Sequence, residues 1–408
     1  MRNIIFYILV LIPIINFSKG GFFFYNVMTV ILLFVNLWLL FSRPTYFKGL
    51  LSNSRGIAGW LLLFVVFYYL ASFFNTSMYN SNLRIFELIL TAFLVPVLWK
   101  EKNIFNMFIL VMSIQSILFV LFISQLAGAD ARLMLDSSKL LEEGIEIGGN
   151  NPISYGLPVV FSIVTIFIYL RNEIFVKKIF LTYILVILVL CLFITTSRGS
   201  FLILMVTVAF YFIKMGRIRN LINAIFVFIL CFVLIDFLAS VNDDFSFAYD
   251  FLVNRTQSDE SINKISHGRM EQWEAMYEYA KSSGINVIFG FGPGMQYDAH
   301  EIISMSLMSN SNAYFQGSRI AYHALPLLLI SEIGLLGVII FYSIMSGIYR
   351  SANLFFKSTS SFLPLVGFLG WFTAGLSVSS FDSFSGLFLG LAFIPLIEFR
   401  ANNLIKSD

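Results

Sequence analysis

The sequence predicts an all-α polytopic membrane protein of about twelve transmembrane helices, with a large, partly helical loop on the outer side between the ninth and tenth. Three observations carry that expectation. Hydrophobic residues make up 58% of the chain and charged residues 12%, about half the roughly 25% of an ordinary soluble domain. The apolar residues fall in blocks of about 15–25, the helical length that crosses a bilayer core. The alternating segments of about ten residues that build a membrane β-barrel are missing.

Along the chain the blocks are 3–17, 21–41, 57–74, 83–99, 104–127, 153–170, 179–196, 200–213, 221–239, 323–349, 362–378 and 386–399. No small-residue cleavage site follows the first block, so it is expected to be a span and not a removed leader. With the N-terminus inside, the inner connections collect Arg43, Lys48 and Arg55; Lys100 and Lys102; Arg171, Lys177 and Lys178; Lys214, Arg217 and Arg219; Arg350 and Lys357. The short outer connections 75–82 and 379–385 hold no Lys or Arg. This asymmetry obeys the positive-inside rule and puts both termini in the cytoplasm.

The chain then divides into spans one to nine (1–239, with an outer loop at 128–152), the large outer loop 240–322, and the last three spans with an inner tail (323–408). A polar loop of that length is expected to be functional or partly folded. Within it, GRMEQWEAMYEYAKSSG (268–284) reads as an amphipathic helix, with Met270, Trp273, Met276, Tyr277 and Ala280 on one face. Trp and Tyr on its apolar side suit the membrane interface. Gly59, Gly367, Gly370 and Gly375 read as sites of close helix approach. Trp60, Trp99 and Trp371 read as anchors near span ends. Cys191 and Cys231 both lie in apolar blocks and read as small buried residues. No CxxC pair or His-rich run points to a metal site, and no cofactor or nucleic-acid partner is expected.

One residue stands out from this pattern. Arg198 lies between the seventh and eighth blocks, in TTSRGSFL (195–202), at the outer surface where positive charge does nothing for orientation. Two readings of it stand: an arginine snorkelling into the headgroups, or one facing a functional site. Other features share its level. Arg269 opens the amphipathic helix, FGFGPGM (289–295) follows it, and YHALPLLLISEIGLLG (322–337) starts the tenth span with His323 at its outer end. The glycine run lacks the strand and helix context of a nucleotide loop. Each feature has a bland alternative: a loop ion pair, a simple turn, an interface histidine. Together they describe a cationic pocket open to the outside. Guanidinium forks match phosphate oxygens and stay charged, and histidine holds or takes a proton near neutral pH. That combination suits transfer chemistry on a phosphate-activated lipid, with the arginines stabilising the departing pyrophosphate.

At these residues the chain resembles the O-antigen polymerase and O-antigen ligase superfamily of bacterial envelope polysaccharide enzymes. GNNPISYG (149–156) resembles its Asn-Pro motif, TSRGSFL (196–202) its Ser-Arg-Gly hairpin, and GRMEQWEAM with FGFGPG its outer-loop helix and glycine turn. YHALPLLLISEIGLLG resembles its His-led span. The resemblance covers roughly 145–345. It implies a metal-independent glycosyltransferase on the periplasmic face of the bacterial inner membrane. The donor would be an undecaprenyl-diphosphate-linked oligosaccharide, and the expected partners are membrane lipids and a chain-length regulator. Arg198 and Arg269 would hold the donor diphosphate and His323 would orient or activate the acceptor hydroxyl. Arg132, Arg319 and Trp273 are candidate substrate contacts.

One departure matters. In ligases the histidine is typically followed by Asn, whereas Ala324 follows His323, which favours a polymerase. It leaves Glu271 or Glu301 open as the base, with Glu332 set deeper. The reading from another class is a lipid-oligosaccharide flippase. A secondary transporter should show midplane charges and two related halves, and here the charges gather at one surface.

Overall fold

The structure, a computed structural model, describes residues 2–17, 21–42, 57, 64, 81–126, 152–170, 178–195, 198–223, 225–226, 229, 233, 286–290, 325–377 and 383–405. Among them every regular element is a helix. In order these are α1 (Arg2–Phe17), α2 (Gly21–Ser42), α3 (Ser81–Trp99), α4 (Lys102–Leu126), α5 (Pro152–Thr165, running on as a π turn over Ile166–Leu170), α6 (Lys178–Ile194), α7 (Arg198–Lys214), α8 (Asn286–Phe289), α9 (Leu325–Thr359), α10 (Leu363–Ser377) and α11 (Ser383–Ile405). Most of the expected spans 57–74 and 221–239, nearly all of the loop 128–152 and most of 240–322 lie outside the described residues.

These helices are apolar all round. In α6, Leu181, Ile184, Leu188, Cys191 and Leu192 are buried, while Ile179, Phe180, Tyr183, Val186, Ile187 and Leu190 are exposed on the other side. A helix of a soluble protein keeps its outer face polar; this one needs hydrocarbon there. Among the described residues, 102–121 and 333–359 are long and apolar enough to cross a bilayer, and shorter apolar helices accompany them.

Side-chain pairs set the relative directions. Arg2 pairs with Glu101 just before α4, and Gln115 donates to the carbonyl of Val10 at 2.9 Å, so α1 and α4 run parallel. Phe105 meets Tyr169 with ring centroids 5.5 Å apart and Ser116 meets Ser162 at 3.4 Å, so α4 and α5 are antiparallel. Asn36 of α2 donates to the carbonyl of Leu90 on α3 at 3.2 Å. The α3–α11 interface is the most extensive, and glycine makes it possible. A Cβ at Gly386 would lie 2.7 Å from the carbonyl oxygen of Leu88, and one at Gly390 2.6 Å from the side chain of Val95. These contacts make α3 and α11 parallel. A Cβ at Gly367 would lie 2.7 Å from the amide nitrogen of Ala392, and Gly370 faces the Phe388 ring, so α10 is antiparallel to α11. Gly367 and Gly370 therefore act as the close-approach sites expected of them.

Several expectations change. α9 continues ten residues past the expected end at 349, so Arg350 and Lys357 sit on a helix and not in a loop. The reason is an apolar face that persists: Ile348, Ala352 and Phe355 are buried at helical spacing. The helix stops at Ser360, which turns left-handed (φ 59) and donates its N–H to Phe356 at 2.8 Å. α11 likewise begins earlier and ends later than 386–399. Trp371 is no interfacial anchor: it is fully buried, with its ring 5.7 Å from that of Phe341. Trp99 stacks its edge on Phe105 and lies beside Tyr169, both at 5.2 Å.

Gly386→Val is expected to cost about 1–3 kcal/mol by overpacking the α3–α11 contact. Ile179→Ala, on the lipid-facing side of α6, is expected to change stability little. Thermal melting of the detergent-solubilised protein checks both.

Candidate functional site

The end of α6 and the start of α7 bracket Arg198, the charge that stands out in the sequence. α6 is closed by Thr195, which donates its N–H to Cys191 at 3.0 Å and its hydroxyl to the carbonyl of Leu192 at 2.7 Å. Three residues on, Arg198 is the first residue of α7. Arg198 therefore opens a helix, where the sequence suggests a turn. Ser197, directly before it in sequence, is a residue type that favours a helix start. The N-terminal turn of a helix carries free N–H groups and a partial positive charge. An arginine as first residue is a sequence choice that runs against the usual preference for acidic residues in a helix's first turn. Behind Arg198, Ser200 is fully buried, and α7 packs on α5 and α10.

The second feature is a break in α9. Gly334 has φ 65 and ψ −174, a conformation open essentially only to glycine, and α9 kinks there. Against the kink lies the backbone of Ile288–Gly290, the end of α8 and the start of the glycine turn. A Cβ at Gly334 would be 2.5 Å from the nitrogen of Gly290 and would collide with the carbonyl of Ile288. Two motifs 40 residues apart in sequence, FGFGPG and Glu-Ile-Gly-Leu-Leu-Gly, are thus in backbone contact.

The C-terminal ends of α7 and α9 relate this break to Arg198. Lys214 donates to the side-chain oxygen of Asn353 at 3.4 Å, and its ammonium lies over the Phe210 ring. Both helices pack on α10. Counting back 16 residues from Lys214 reaches Arg198, and 16 from Asn353 reaches Gly337, three residues past the break. At about 1.5 Å per residue each is roughly 24 Å from the pair. The head of α7 and the break in α9 therefore share a level.

Of the other sequence-predicted site residues, Arg132, Arg269, Trp273, Arg319 and His323 lie outside the described residues, as do Glu271 and Glu301. His323 stands two positions before Leu325, where α9 begins, and Glu332 two positions before the break. The sequence argument passed over Glu87. It is a carboxylate within α3, 1% exposed, engaged in a polar contact, and Thr91 one turn below it is fully buried. A lone acid inside an apolar block was the signal for it.

Comparison with known families gives one match. Residues 183–342 match the model of the family described as O-antigen ligase. The matched stretch takes in α7 with Arg198, the Ile288–Gly290 backbone and the break in α9; it is less than half of the chain. By position it also includes Arg269, Trp273, Arg319 and His323, but not Arg132. No curated protein matches this chain.

Glu87→Ala is expected to lower stability by about 1–3 kcal/mol, since it strands the partner of a buried carboxylate. Glu87→Gln, which keeps the shape and part of the hydrogen bonding, is expected to cost less. Melting curves of the two purified variants beside wild type check the order.

Proposed function

We propose that this protein polymerises undecaprenyl-diphosphate-linked oligosaccharide repeat units on the periplasmic face of the bacterial inner membrane. The observation that carries the reading is the family match over 183–342, which brackets Arg198 at the head of α7 together with the break in α9. In this reading the acceptor hydroxyl of one lipid-linked unit attacks the anomeric carbon of another glycan. The bond from that carbon to the diphosphate oxygen breaks, and undecaprenyl diphosphate leaves with the electron pair. Arg198 and Arg269 hold the two phosphates and take up the charge that grows on them. His323, or a carboxylate such as Glu271 or Glu301, accepts the proton of the hydroxyl. The helix end at Arg198 adds its own dipole to the same task. Neither a cofactor nor a metal is assigned to the step. A chain-length regulator is a partner consistent with a polymerase.

A ligase that moves the glycan to lipid A core is the second reading, and the description of the matched family favours it. Ala324 beside His323 favours the polymerase. The flippase reading finds no support in the family match and is set aside.

The test is complementation of a strain lacking its own polymerase, with the lipopolysaccharide ladder read on a gel and membrane levels of each variant checked. Wild type is expected to restore long glycans. Arg198→Ala and Arg269→Ala are each expected to lose about 10²–10³-fold in activity, the usual effect of removing one preorganised charge donor. Arg198→Lys keeps the charge and loses the fork, so it is expected to recover only part. Core plus a single repeat in the arginine variants supports the polymerase. Core plus a single repeat even with wild type, together with rescue of a strain lacking its ligase instead, identifies the ligase. A normal ladder from all variants, His323→Ala included, removes the pocket.

A further inference from the structure

We infer that Gly334 is a positioning residue: the break it makes in α9 is the seat for the Ile288–Gly290 backbone. The seat fixes where the outer loop that carries Arg269 meets the span that follows His323. The inference rests on the functional reading above for what is positioned; the seat itself rests on geometry.

Three physical arguments lead to it. A break in an apolar helix frees backbone N–H and C=O groups, and at membrane depth irregular backbone is tolerated only where protein or a polar cavity covers it. Here the covering element is Ile288–Gly290, which approaches too closely for any Cβ at position 334. Next, α8 has only four residues. A helix that short does not stand by itself, so its placement comes from docking on α9. Gly290 adds the matching requirement on the loop side, with φ 78. Finally, the apolar side chains around the contact are exposed: Ile288 and Phe289 on α8, Leu335, Leu336 and Ile339 on α9. Exposed apolar side chains on both elements of the contact suit a lipid surrounding.

The consequence is a shortened tether. Through the loop, Arg269 and His323 are 54 residues apart; through the seat, 19 residues separate Arg269 from Ile288 and 11 separate His323 from Gly334. A shorter path raises the effective concentration of one group at the other and lowers the entropy cost of bringing them together. A seat that only positions groups should act on kcat more than on KM for the lipid-linked donor.

The experiment uses the full chain with Cys191 and Cys231 replaced by alanine and a reporter, Ile288→Cys, labelled in membranes with a water-soluble maleimide. Gly334→Ala is expected to speed labelling about tenfold, the factor that about 1.4 kcal/mol represents. It is also expected to lower kcat by a similar factor with KM nearly unchanged. Gly290→Ala approaches the seat from the loop and should reproduce both effects, and it carries the test if Gly334→Ala does not accumulate. The double variant should be no worse than either single one. Arg198→Ala should abolish glycan product with labelling unchanged, which separates the seat from the chemistry. Unchanged labelling in both glycine variants overturns the seat. Faster labelling with wild-type kcat overturns the positioning role. If wild type transfers no glycan, the functional reading fails and the positioning role with it, while labelling still decides the seat.

Discussion

In hydrocarbon a backbone N–H or C=O has no water to turn to. Each must be bonded inside the protein, and each failure costs several kcal/mol. The rest of this structure depends on that constraint. It explains why every regular element among the described residues is a helix, and why the buried hydroxyls of Ser113, Ser116, Thr165 and Thr207 bond back to their own turn. It also makes the exception informative. A helix in such an environment does not break for nothing, and α9 breaks where the backbone of a distant motif is there to meet it.

Since lipid tails are as apolar as leucine, burying leucine gives little reason for these helices to associate. Close packing does the work instead. The α3–α11 and α10–α11 contacts use glycines to bring backbones together, and interlocked rings fill what remains, as where Phe161 meets Phe388 edge to face at 5.2 Å. This bundle is the support for Arg198. α7 is held by α5 and α10, and α10 is held by α9 and α11, so the head of α7 belongs to the same packed body as the break in α9.

The helical, apolar class was legible because composition and block length report the solvent directly. Helix starts and stops were less so. The C-terminal end of α9 runs past the charges at 350 and 357 because a buried face continues beneath them, and hydropathy averages that away. Trp371 read as an anchor because tryptophan favours interfaces, but tertiary packing put it in the core. Of the candidate site, Arg198 was legible as a charge out of place, and the two glycine motifs as motifs. Their contact was not. It depends on a single left-handed residue in one helix and a four-residue helix in a loop, and neither leaves a periodic signal. Glu87 was not legible as a buried acid, because a position four residues into a span looks the same in sequence whether the side chain is buried or reaches the headgroups.

On the function proposed above, Arg198 at the head of α7 and the loop backbone seated against the broken helix serve one reaction on a lipid diphosphate. The most direct measurement is reconstitution of the purified protein in liposomes with undecaprenyl-diphosphate-linked repeat units as the only glycan. Free undecaprenyl diphosphate and the length of the lipid-linked glycans would be followed together. The account predicts that the two rise in step, one undecaprenyl diphosphate released for each unit joined. Repeat units that cross the bilayer unjoined, with no undecaprenyl diphosphate released, would contradict it.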